Sequence, residues 1–152
     1  MMRMTKKPLL LALAALALGC GDPVQPDDGP GRLVEFTAER EDGTPPAQPE
    51  VSVFATSGRV SVEAVFATPD VCRRLTGKLY NTTGPADEPI RLLHVDIDRT
   101  GQVCGGMIGR FRYRAIIEAE PATFLLRVEH DNSDSPTPEP AVVFSQYVAI
   151  PR

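Results

Sequence analysis

From Arg110 to Ile117 the chain alternates, interrupted only by Ile116, with Phe111, Tyr113, Ala115 and Ile117 in one set and Arg110, Arg112 and Arg114 in the other. A period of two is what a strand with one buried and one wet face requires, whereas a helix needs apolar residues at i, i+3, i+4 and i+7. The same alternation returns in Leu93, Val95 and Ile97 and in Phe124, Leu126 and Val128. No stretch beyond the first 20 residues sustains helical spacing. Runs rich in Val, Ile, Phe and Thr, separated by Gly, Pro and Asp, predict strands at 51-56, 59-66, 75-82, 90-98, 108-119, 122-130 and 141-150. About seven short strands with turn signals at this spacing predict an all-β fold, an antiparallel two-sheet sandwich.

That architecture resembles immunoglobulin and fibronectin III domains. The chain has no Trp, and therefore lacks the Cys, Trp, Cys signature of antibody-type domains.

The chain begins differently. Arg3, Lys6 and Lys7 precede ten residues, Leu9 to Leu18, that are all Leu or Ala, the charged and apolar regions of a secretory signal peptide. A transmembrane helix would need about 20 apolar residues, and Gly19, Cys20, Gly21, Asp22 and Pro23 end the run too soon. The sequence Leu16-Ala17-Leu18-Gly19-Cys20 resembles the lipobox of bacterial lipoproteins, although Ala17 stands where that family commonly has Leu. The resemblance implies that residues 1-19 are a signal peptide cut before Cys20. It also implies that Cys20 carries a diacylglyceryl group and an amide-linked acyl chain such as palmitate. The protein would then be anchored to a membrane by its lipid and would not span it. With no Asp directly after Cys20, sorting in this family points to the outer membrane of a double-membraned bacterial envelope. The stretch from Cys72 through Phe111-Arg112-Tyr113 to Leu126-Arg127-Val128-Glu129-His130 is also similar to small envelope lipoproteins of unassigned function.

Three cysteines are an odd number for an exported chain. Lipidation of Cys20 accounts for one and leaves Cys72 and Cys104 as a disulfide pair, which export favours. If successive strands reverse direction, both cysteine loops lie at one end of the sandwich. Closing that loop would stabilise the fold by about 3.7 kcal/mol in the chain-entropy account. The alternative is two free cysteines buried as small hydrophobes.

Residues 20-50 carry six prolines with Gly, Asp, Glu and Gln, interrupted by Leu33-Val34-Glu35-Phe36, and predict an extended, disordered tether ahead of a sandwich domain at 51-152. The short apolar break is either a first strand or part of the tether. The signal carries three of the 16 basic residues, leaving 13 against 20 acidic ones. That balance excludes nucleic acid as a partner, because phosphate binding rests on basic patches.

Two motifs suggest chemistry. Asp96-Ile97-Asp98-Arg99-Thr100-Gly101 has the opening of a calcium loop, but Met107 stands where a bidentate Glu would close it. His94, Asp96 and Asp98 share one strand face and so offer transition-metal ligands. Cross-strand pairing of these residues with Arg110, Arg112 and Arg114 explains both sets without a metal. No metal or other cofactor is therefore assigned, with Asp96 and Asp98 kept as the candidate ligands. The polar loop 131-140 is expected to join loops 68-74 and 99-107 in one rim, where sandwiches commonly place function. The chain holds no G-x-S-x-G, H-E-x-x-H or G-x-x-x-x-G-K motif and only two histidines, His94 and His130. The expectation is a lipid-anchored envelope protein, not an enzyme, with a binding or structural role. A small hydrolase or metal-dependent enzyme on the same scaffold is the alternative.

Overall fold

A computed structural model describes residues 31–101, 103–136 and 139–152. Its strands are β1 (Gly31–Glu41), β2 (Glu50–Thr56), β3 (Arg59–Thr68), β4 (Arg73–Thr83), β5 (Pro89–Arg99), β6 (Gly109–Ala119), β7 (Thr123–Asn132) and β8 (Ala141–Ala149). They form two four-stranded sheets, β1-β6-β3-β2 and β4-β5-β7-β8, stacked with β1 over β4 and β2 over β8. The all-β sandwich expected from alternation is therefore the fold, and each of the seven predicted strands is present. Phe111, Tyr113, Ala115 and Ile117 are buried against Leu93, Val95 and Ile97 and against Phe124, Leu126 and Val128, in one core with Val60, Val62 and Phe66.

Three expectations change. The sandwich has eight strands, because Leu33 to Phe36 belong to β1, which pairs with β6 along its whole length. The alternation there is hidden by an irregularity. The register shifts between Leu33 and Glu35, so Leu33 and Phe36 both turn toward the core although three residues apart. The domain accordingly starts at Gly31 and not at 51, and residues 42–49 join β1 to β2 instead of forming tether.

The third change is directional. Every other pairing is antiparallel, but β5 and β7 run parallel, with His94 opposite Glu129 and Asp96 opposite Asp131. The chain leaves β5, crosses to the first sheet for β6 and returns for β7. Two reversals restore the original direction, and β7 then lies beside β5.

Registers define two ends. The first, the rim, gathers the β1–β2, β3–β4, β5–β6 and β7–β8 connections. The second, the base, holds Gly31, the β2–β3 turn, the β4–β5 and β6–β7 connections and the C-terminus. Arg91 continues the inward face of β5 at the base and sets its guanidinium 5.5 Å from the Phe124 ring centre, where burial pulls its pKa down.

Candidate functional site

The rim is cross-linked from three directions. Cys72 in the β3–β4 connection forms a disulfide with Cys104 in the β5–β6 connection, their Cα atoms 6.0 Å apart, and the Thr100 amide donates to the Cys72 carbonyl at 3.1 Å. Arg73, at the start of β4, is buried and makes the third tie. Its Nη2 donates to Asp70 Oδ2 at 2.6 Å, and its Nη1 donates to Asp134 Oδ2 at 2.8 Å and to Asn132 Oδ1 at 3.3 Å. Asp70 also accepts the Cys72 amide at 2.9 Å. The Arg73 guanidinium holds the Asp70 carboxyl below the usual carboxylate range, with the Cys72 amide adding to the effect. Where β6 begins, Gly109 passes so close that a Cβ would stand 2.6 Å from Thr68 Oγ1 and 2.7 Å from the Asp70 carbonyl. Loops 68-74, 99-107 and 131-140 thus share one end, as expected.

Two features at this end are open to solvent. Val103, Met107 and Ile108 are exposed on the β5–β6 connection. Beside it, between the edges of β1 and β4, lies a groove of about 520 Å³ with Phe36, Val71, Leu75 and Phe111 among its apolar walls and Arg40 and Arg74 at its margin.

The outer face of the β4-β5-β7-β8 sheet carries the second cluster. His94 Nε2 lies 3.2 Å from Asp96 Oδ1 and 3.6 Å from Asp131 Oδ2, and His94 Nδ1 lies 3.9 Å from Glu129 Oε2. Lys78 Nζ donates to the other oxygen of Asp96 at 2.8 Å, which raises the pKa of the lysine. The Tyr80 ring stands edge-on to His94, centroids 6.2 Å apart.

The structure keeps His94 and Asp96 together but separates Asp98, which lies opposite Arg74 toward the end of the strand. Asp131 takes the place expected for Asp98. It belongs to β7, not to the loop that follows, and only the parallel β5–β7 register brings it to His94. Glu129 was equally hidden, because nothing in the local pattern announces that β7 is the neighbour of β5. The calcium-loop reading of residues 96–101 also ends here. Asp96 and Asp98 lie on an extended strand, and Gly101 supplies a turn at φ 76° instead of closing a coordination loop.

Arg110, Arg112 and Arg114 do not pair with these acids, because β6 lies in the other sheet. Arg110 Nε donates to Glu41 Oε2 at 2.9 Å, Arg112 Nε donates to the second Glu41 oxygen, and Arg114 lies 3.5 Å from Glu63. At the base end of that face Glu118 takes Arg32 and Arg59 at 3.1 and 3.2 Å. Both Glu41 and Glu118 are held below the usual carboxylate range, each by hydrogen bonds from its two arginines.

The second histidine has a different fate. His130 is buried between Phe66, at 4.4 Å between ring centres, and Tyr113, whose Oη lies 3.0 Å from His130 Nε2. Burial lowers the imidazole pKa to about 4 and pushes the Tyr113 phenol up. The pair is neutral at ordinary pH and fills the core.

Cys20 and the signal expected over 1-19 lie outside the described residues. Among the described residues, no helix is long and apolar enough to cross a membrane. Comparison with protein-family models, with curated proteins and with solved structures gives no match.

Proposed function

We propose that the chain is a lipid-anchored protein of the bacterial cell envelope whose sandwich binds a partner through its rim. The lipid would sit on Cys20, the domain would start at Gly31, and the ten residues between span at most about 35 Å when fully extended. The observation that carries the reading is the position of Gly31 at the base, opposite the cross-linked rim with its exposed Val103, Met107 and Ile108. An anchor attached there points the base to the membrane and the rim away from it. A rim fixed by a disulfide and by Arg73 loses little freedom on binding, which favours recognition. A binding role also suits the histidines, since His130 is committed to the core beside Tyr113.

The test is the intact mass of the chain extracted from membranes, before and after reduction, in the wild type and in Cys20→Ser. Acyl mass on a chain that begins at Cys20, lost in the variant, with a two-proton gain on reduction, supports the anchor. An unacylated, freely soluble wild-type chain refutes it. Orientation is read by energy transfer from a dye at Ala47→Cys in the rim or Ser57→Cys in the base turn to a headgroup acceptor. Stronger transfer from the base is expected.

A further inference from the structure

We infer that His94, Asp96 and Asp131 form a binding site for a divalent transition-metal ion of the zinc class on the outer face of the β4-β5-β7-β8 sheet. The three ligand atoms lie within 4.8 Å of one another. Donors around a tetrahedral zinc at ~2.1 Å are separated by about 3.4 Å, and the distances from His94 Nε2 to the two carboxylates, 3.2 and 3.6 Å, bracket that value. Imidazole with two carboxylates suits zinc and its neighbours, whereas calcium takes oxygen alone. The fourth position faces solvent, since the Asp131 side chain is 43 % exposed.

The strand register supplies an independent reason. Parallel pairing sets Asp96 directly opposite Asp131, and like charges so placed destabilise a sheet unless a cation lies between them. Lys78 bonds Oδ2 of Asp96, not the Oδ1 that lies beside His94, and neither Asp131 nor Glu129 meets a lysine or arginine among the described residues. Glu129 lies on the Nδ1 side of His94. Its carboxylate stands 3.9 Å from His94 Nδ1, longer than a hydrogen bond, and its negative charge there favours a proton on Nδ1, which leaves the Nε2 lone pair for a metal held by the two aspartates. Lys78, half exposed, competes for Asp96 and can swing into solvent.

The experiment is calorimetric titration of the full chain, detergent-solubilised and stripped with chelator, with zinc chloride and separately with calcium chloride. One zinc per chain with saturable binding is expected, and no calcium heat. His94→Gln is expected to abolish binding, Glu129→Gln to weaken it about tenfold as an outer-shell orienting group, and Asp98→Asn to leave it unchanged. All three positions lie on the sheet surface, and a melting curve in chelator verifies that each variant is folded. Absence of saturable zinc binding at millimolar metal overturns the site, as does zinc binding that survives His94→Gln or calcium binding of equal strength.

Discussion

The two outer faces of the sandwich solve the same problem in opposite ways. On the β1-β6-β3-β2 face the arginine row of β6 is flanked on both sides by acids. Glu41 bridges Arg110 and Arg112, Glu63 meets Arg114, and Glu118 bridges Arg32 and Arg59. Each of these five arginines meets a carboxylate within the protein. On the other face His94 is surrounded by Asp96, Glu129 and Asp131, with Lys78 the one lysine or arginine paired to the cluster among the described residues. The difference follows from topology. Antiparallel neighbours brought β6 between strands of opposite charge, whereas the parallel β5–β7 pair aligned acid with acid.

The most damaging test of this contrast is to give the second face what the first already has. Asp131→Arg places a cation opposite Asp96 and is expected to remove zinc binding altogether, while the melting temperature in chelator holds or rises. Zinc titration followed by calorimetry and melting reads both effects, and undiminished binding would break the comparison.

Next in size is an effect of the core, which separates the two histidines. His130 is held at about 4 by burial against an unfolded value of 6.5. The unfolded chain therefore binds the proton first. Stability is full above pH 6.5, falls as pH drops from 6.5 toward 4, and by then has lost about 3 kcal/mol. Denaturant unfolding at stepped pH should show that slope, and His130→Phe should remove it while leaving zinc binding at His94 intact.

Smaller changes sharpen the contrast between the faces. Lys78→Met frees one oxygen of Asp96 and is expected to tighten zinc about two- to fivefold, the worth of one exposed ion pair. Glu41→Gln is expected to lower the melting temperature by a few degrees through repulsion between Arg110 and Arg112. That loss should shrink with added salt, and zinc affinity should stay unchanged.

Local alternation was enough to locate seven of the eight strands, since burial of every second residue leaves its mark directly on Phe111 to Ile117 and Leu93 to Ile97. It failed at β1, where the shift between Leu33 and Glu35 spaces the inward residues by three. The disulfide was readable from cysteine number and loop placement together. The metal cluster was half readable. His94 and Asp96 share a strand face in the sequence itself, but Asp131 and Glu129 join them only through pairing between strands that are not consecutive. The same cause misplaced the arginines, which follow β5 in the chain and yet lie in the other sheet. Arg73, Asp70 and Asp134 were missed because a buried ion pair at a loop junction leaves no periodic trace.

The contrast rests on one site, and the chain contains two histidines that report on it together. Long-range nitrogen–proton correlation spectra of chain labelled with nitrogen-15 at histidine, recorded during zinc addition, distinguish them directly. His94 Nε2 is expected to shift on binding while Nδ1 keeps its proton, and His130 beside Tyr113 is expected not to move. Spectra in which His94 stays unchanged at saturating zinc would contradict that site.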